Sequence, residues 1–250
     1  MTRPEERAGA AAAAARSAKT LVVIPAYNEA ATIGEVVTRA AALAPVLVVN
    51  DGSTDATGAI AASLSRCTVI NHERNTHIPG AIRDGFAHAL DHGYDYAVTM
   101  DAGLSHDPDL IRSLIAQPDV DLILSYRREL KNTPIYRRLL SRAAACLVNA
   151  AIRQPRWKVW KPGFRDVTSG YRRYSRRAMQ AVLDAPMVCR SFDFHLEALA
   201  VVSYAGLSIR EFPITYVFSN SSLTYRVVVQ ACSTWMRLFL GLHRPPHARE

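Results

Sequence analysis

The chain reads as an α/β protein built on one mainly parallel sheet with helices on both faces. Three observations lead there. Short apolar runs rich in β-branched residues recur from Leu21 to Leu124, amphipathic segments of helical period separate them, and Pro, Gly or Asn marks most junctions. Strands of a parallel sheet are covered on both faces, so they read as continuous apolar runs, as LVVIPA from Leu21 and VLVVN from Val46 do. A length of 250 residues suffices for one large core.

Taken in order, the first strand begins at Leu21 and is expected to stop at Pro25, which cannot donate to a ladder. Ile33, Val36, Val37 and Ala40 share one face of a helix over Ala30 to Leu43, which Pro45 ends. Val46 to Asn50 is the second strand. DGSTDATG then makes a turn in which Ser53 or Thr54 caps a helix through Leu64. Thr68 to Asn71 is a third strand, and Ile82, Phe86, Ala89 and Leu90 mark the next helix. Tyr96 to Met100 is an apolar strand that delivers Asp101 to a sheet edge before the chain breaks at Gly103. Asp109 to Ala116 is helical and Asp121 to Leu124 is another strand.

After Ser125 the stretch becomes arginine-rich and partly helical, with Arg138 and Arg142 beside Leu139, Leu140, Ala143 and Leu147 on an amphipathic helix. Asp166 to Tyr174 is a strand or turn. Helices follow near Ser175 to Leu183 and Phe192 to Ala205, then a strand over Ile209 to Phe218 and a last amphipathic helix over Leu223 to Leu242. Residues 1–19, with their alanine run, are expected to be a disordered leader, and 20–250 a single domain in which 126–165 forms a basic, membrane-facing insertion.

The formal net charge is +8, but it is unevenly spread. Between Tyr126 and Arg177 stand 15 Lys and Arg against Glu129 and Asp166, so the rest of the chain is net acidic. A basic middle on an acidic body implies an anionic partner: phosphates, a membrane surface or nucleic acid. Trp157 and Trp160 alternate with Lys158 and Lys161, a pattern that suits a bilayer interface, stacked nucleobases or a solvated basic face over core tryptophans. The four cysteines show no paired spacing, which argues against a zinc site and a disulfide framework and for a reducing compartment. No apolar run reaches the roughly 18 residues of a spanning helix. The first strand is followed by neither GxGxxG nor a Walker loop, which leaves hydride transfer and P-loop chemistry without support.

Ligands of such sheets bind where parallel strands end, so Pro25 to Glu29, Asn50 to Ser53 and Asp101 to His106 are expected to line one cleft. Asp101 stands seven residues before Pro108, too far to cap the helix there, so its carboxylate is assigned to a ligand.

PAYNEAATI from Pro25, VVNDGSTD from Val48 and MDAGLSHDP from Met100 together resemble glycosyltransferase family 2 with its GT-A fold. DVTSGYRRY from Asp166 and GLSIREFPITY from Gly206 narrow the resemblance to the polyprenyl-phosphate sugar synthases within that family. The resemblance implies an inverting transfer from a GDP- or UDP-sugar to a polyprenyl phosphate, by a peripheral protein at the cytoplasmic membrane face with no nucleic-acid partner. It implies that Pro25, Ala26, Tyr27, Glu29, Asp51, Ala102 and Arg83 bind the nucleotide sugar. Asp101, Arg127, Arg138 and Ser141 would be catalytic, and Arg128, Arg137, Arg142, Ser169 and Arg172 would hold the acceptor. It also implies a divalent cation, Mg²⁺ or Mn²⁺, at Asp101. Relatives usually carry Asp-x-Asp, whereas Gly103 stands in the second acid's place here, so Asp107 or His106 would have to compensate. The alternatives are a family-2 transferase with a soluble or glycan acceptor, and a nucleotide-binding scaffold without turnover.

Overall fold

The computed structural model describes residues 19–131, 135–152, 163–217 and 233–237. Seven strands, β1 (Thr20–Ala26), β2 (Val46–Asn50), β3 (Cys67–Asn71), β4 (Tyr96–Thr99), β5 (Leu122–Lys131), β6 (Arg172–Ser175) and β7 (Ile209–Val217), form one sheet in the order β3-β2-β1-β4-β6-β5-β7. β1 pairs in parallel with β2 and β4, β2 with β3, and β5 with β7, while β6 runs antiparallel between β4 and β5. The helices are α1 (Ile33–Ala41), α2 (Thr57–Ala62), α3 (His77–Asp91), α4 (Ile111–Ile115, after a 3₁₀ turn at Pro108–Leu110), α5 (Ile135–Ile152), α6 (Arg176–Asp184) and α7 (Phe194–Tyr204). The α/β class and mainly parallel sheet expected from the apolar runs are thus observed.

Both sheet faces are dry. Val22, Ile24 and Val48 pack with Ile33, Val36 and Val37 of α1 and Ile111 of α4. Opposite them, Val23 and Leu47 meet Ile82 and Phe86 of α3, Met179 of α6 and Leu199 of α7. Alternation along each strand sends consecutive residues into these two layers, which is why Leu21–Ile24 of β1 and Val46–Val49 of β2 are unbroken apolar runs.

Several boundaries differ from the sequence expectation for identifiable reasons. Pro25 does not stop β1, because β4 pairing ends at Val23 and the missing N–H falls where the ladder needs none. α2 begins at Thr57 rather than beside Ser53 or Thr54, since the Asp55 carboxylate accepts from Thr57 N while Ser53 Oγ accepts from Asn28 N. Asp107, not Asp101, caps the turn at Pro108. The arginine-rich residues 126–131, assigned by sequence to a partly helical insertion, continue β5 beside β7, with a bulge between Arg127 and Glu129. Of the expected last helix only residues 233–237 are described, and they are helical. Trp157 and Trp160 lie outside the described residues.

Arg173 shows how β6 is held. Its guanidinium is buried over the Tyr96 ring, 4.4 Å from the centroid, and donates to the carbonyls of Leu114, Ile115, Gln117 and Pro118 at the end of α4. Arg173→Met preserves most of the volume but strips those carbonyls of their donor. We expect it to lower the unfolding free energy by about 3 kcal/mol, read from urea denaturation, because buried acceptors without partners bear the full desolvation cost.

Candidate active site

The carboxyl ends of β1, β2 and β4 meet in one cleft. Asp51 N donates to Ala26 O (2.8 Å), Asn28 N to Ser53 Oγ (3.0 Å), and Thr54 N back to Asn28 Oδ1 (2.9 Å), so the loops after β1 and β2 are laced together. Asn28 takes positive φ to do this, a conformation Asn tolerates. Beside it, Tyr27 is 48% exposed. Glu29 is partly committed, its carboxylate accepting from Thr32 Oγ1 at 3.0 Å.

Asp51 is buried, and its Oδ1 meets Thr76 N (2.7 Å), Thr76 Oγ1 (2.8 Å) and His72 Nδ1 (2.8 Å). All three contacts end on the same oxygen. Gly52 follows with φ +72°, and a Cβ there would stand 2.8 Å from the backbone of Arg74 and Asn75, so only glycine lets the two segments approach.

Asp101 extends from the end of β4 with its side chain 43% exposed. His106 Nδ1 lies 3.4 Å from both Asp101 N and Asp101 Oδ2. The His106 ring is buried, stacked on Tyr171 and edge-on to Tyr216. A Cβ on Gly170 would stand 3.1 Å from Asp101 Oδ1 and 3.0 Å from His195 Nε2, so glycine keeps space open beside both. Thr99 Oγ1 holds that turn through Gly170 O at 2.7 Å. Burial pushes both imidazoles below the ordinary histidine range. Asp101 partly opposes this at His106, whereas Arg172 reinforces it at His195. Arg127 lies over the Tyr216 ring at 4.6 Å, with Nε 3.6 Å from Asp166. A cavity of about 450 Å³ opens where Leu104, Ser105 and Leu110, on the chain after Asp101, face Arg128, Pro213 and Ile214.

Of the residues singled out from sequence, Pro25 and Ala26 end β1, Tyr27, Glu29 and Asp51 lie on the two laced loops, and Asp101 follows β4 at the same sheet edge. Ala102 joins them through its backbone, its methyl being buried. Others are placed elsewhere. Arg83 donates to the carbonyls of Val182 and Leu183 at the end of α6, which removes its guanidinium from the donor cleft. Arg172 is wholly buried and donates to the carbonyls of Val167, Ser169 and His195, so it braces the core rather than facing an acceptor. Ser169 is buried under the same loop. Asp107 is half-exposed but its carboxylate pairs with Arg39 and accepts from Asp109 N, and His106 is buried behind Asp101, so neither presents a free second ligand. Among the described residues no group of three His, Cys, Asp or Glu is placed to hold a metal ion. Arg142 is exposed on α5, while the side chains of Arg137, Arg138 and Ser141 lie outside the described residues. Sequence reasoning missed His195. Its one signal was a lone imidazole inside the apolar run that starts at Phe192.

The family profile described as Glycosyl transferase family 2 matches residues 21–183. The chain belongs to glycosyl transferase family 2. As a member, it is a glycosyltransferase. It is 30% identical over 212 residues to the polyprenol monophosphomannose synthase of Mycolicibacterium smegmatis, covering 79% of this chain and 77% of that protein. It is 32% identical over 212 residues to the undecaprenyl-phosphate mannosyltransferase of Micrococcus luteus, covering 80% and 84%. Among solved structures, glucosyl-3-phosphoglycerate synthase from Mycobacterium tuberculosis, in complex with Mn²⁺, UDP and glucosyl-3-phosphoglycerate, superposes with a TM-score of 0.69 at 20% identity, over 98% of this chain and 87% of that one. That likeness establishes the shared GT-A fold.

The two buried imidazoles of this glycosyltransferase make its stability depend on pH. Both bind protons less readily folded than unfolded, so stability falls as pH drops below about 6.5, where the unfolded histidines protonate and the folded ones do not. Urea denaturation between pH 7.5 and 5.5 should show a loss of up to about 1.4 kcal/mol per pH unit for each histidine. In His195→Gln the slope should shrink.

Proposed function

We propose that this glycosyltransferase moves a sugar from a GDP- or UDP-sugar to a polyprenyl phosphate with inversion at the anomeric carbon, as a peripheral protein on the cytoplasmic face of a membrane. The observation that carries this is the half-exposed carboxylate of Asp101, at the end of β4 on the same sheet edge as the Asp51 loop with β1 between them, on a chain segment that then lines the cavity bearing Arg128. The names of the relatives, a polyprenol monophosphomannose synthase and an undecaprenyl-phosphate mannosyltransferase, support the lipid acceptor.

In this scheme Asp51 accepts a nucleobase N–H through Oδ2, since Oδ1 is already engaged, and Tyr27 covers the base. Asp101 faces the ribose and diphosphate. The acceptor phosphate is anionic at neutral pH, so it attacks without a strong general base. Arg128, freed from strand pairing by the β5 bulge, presents its guanidinium fork to that phosphate, and Arg127 adds positive charge from beside Tyr216. Rate enhancement then comes from holding the phosphate in line with the anomeric carbon in a cleft of fixed dipoles. A divalent cation, held by Asp101 and the donor's own phosphate oxygens, would neutralise the departing diphosphate; a hard ion that keeps several waters fits one protein carboxylate. Free thiols at Cys67, Cys146 and Cys189 suit a reducing compartment. Among the described residues no helix is long and apolar enough to cross a membrane, and Arg142 on α5 offers charge to an anionic surface.

Purified protein given nucleotide sugars and a short polyprenyl phosphate should form the lipid-linked sugar. Asp101→Asn should cut turnover by about 10²-fold or more with an unchanged urea midpoint. Arg128→Ala should raise KM for the lipid phosphate about tenfold while KM for the donor stays put; equal effects on both would remove Arg128 from the acceptor side. Turnover on a free sugar without lipid phosphate would select the soluble-acceptor alternative. A Cβ at Gly103 would meet no atom within 4 Å, so Gly103→Asp is accommodated, and we expect it to lower the Mn²⁺ concentration needed for half-maximal rate.

A further inference from the structure

We propose that His106 is the positioning residue for Asp101, setting where the carboxylate points in the cleft. This rests on Asp101 facing the donor, as above. His106 sits five residues after Asp101 and turns back on it, with Nδ1 3.4 Å from both the N–H and the Oδ2 of Asp101. Nδ1 accepts from Asp101 N–H in one tautomer and, carrying the proton, donates to Oδ2 in the other; the positioning role belongs to the Nδ1–H form. Contacts of this length are at the long end for a hydrogen bond, as suits a partner that tightens when the cleft fills.

The ring itself has little freedom. It stacks on Tyr171 at 5.1 Å, and the Tyr171 hydroxyl donates to Asp107 O at 3.1 Å. Tyr216 closes another side edge-on at 5.7 Å, and Arg127 lies over that ring. Asp107, the next residue, is anchored to Arg39 and Asp109. From that anchored end His106 reaches back to Asp101, across a turn in which Gly103 contributes no side chain. On the opposite side of the carboxylate, Gly170 leaves Oδ1 unobstructed. With its proton on Nδ1 the imidazole holds Oδ2, while Oδ1 stays open to the cleft.

Stability alone does not account for an imidazole here. Nε2 is buried with no hydrogen-bond partner among the described residues. A phenyl ring would fill the slot between the two tyrosines and remove the orphaned Nε2, giving up only the long 3.4 Å contacts to Asp101. A side chain that costs stability at a site earns its place through function.

The test uses the full chain with His106→Phe, His106→Asn and Asp101→Asn. His106→Phe should fold with a urea midpoint equal to or above that of the parent protein, yet lose about 10- to 100-fold in kcat, with KM for the polyprenyl phosphate changed less than about twofold. His106→Asn, whose amide puts a polar atom close to the position of Nδ1, should recover most of that loss. Parental kcat in His106→Phe, a lowered midpoint in that variant, or equal impairment of Phe and Asn would each overturn the assignment. If Asp101→Asn is inactive while His106→Phe is fully active, only the positioning role fails. If Asp101→Asn is itself fully active, the donor-site reading beneath it fails.

Discussion

The site depends on one buried guanidinium. Arg172 on β6 is sealed from solvent, and its nitrogens donate to Val167 O (2.7 Å), Ser169 O (2.7 Å) and His195 O (2.8 Å). Those carbonyls belong to the loop before β6 and to the first turn of α7, two segments that Arg172 ties to each other. By binding both, Arg172 fixes Gly170 and His195 beside Asp101 at the end of β4. A charge buried this deeply is tolerated only when its donors are met, and here backbone dipoles meet them. The neighbouring Arg173 points to the other sheet face and braces the end of α4, so consecutive arginines of one short strand hold the two layers against it.

This changes what the charge excess means. Fifteen basic residues between Tyr126 and Arg177 suggest a strongly positive surface, but several are turned inward or engaged. Besides Arg172 and Arg173, Arg176 donates to the carbonyls of Tyr94 and Leu90, Arg165 engages Tyr126 and Glu211, and Arg127 leans on Asp166. Among the described residues Arg128 and Arg142 stay exposed to meet an anion. Around Asp101, burial disfavours the charged forms of His106 and His195, which leaves the carboxylate as the exposed charge at that point. Specificity here depends on where a few charges are, not on how many there are.

The legible parts of the fold were those written in short-range pattern. The parallel strands β1, β2 and β4 announced themselves because both their faces are buried. The loops of the candidate site were legible because PAYNE, NDGST and MDAGL each stand at a strand end, and the strand ends of a parallel sheet share one edge. β5 was cut too short, since its arginines and glutamate carry no strand signal; pairing with β7 imposes the extended form. Arg83 and Arg172 looked like phosphate ligands because a guanidinium suits a carbonyl as well as a phosphate, and nothing local distinguishes the two.

By itself the sequence determined the α/β class, the strand order of chemistry along the chain and the family, because each depends on hydropathy period and motif spacing within a few tens of residues. Tertiary structure alone decided which arginines face solvent, that His195 and Gly170 flank Asp101, and that His106 turns back on it. Apart from the five-residue return of His106, these depend on segments far apart in the chain, as much as 100 residues for Arg83 and Leu183. Long-range packing and burial settle them, and neither is encoded in any local stretch.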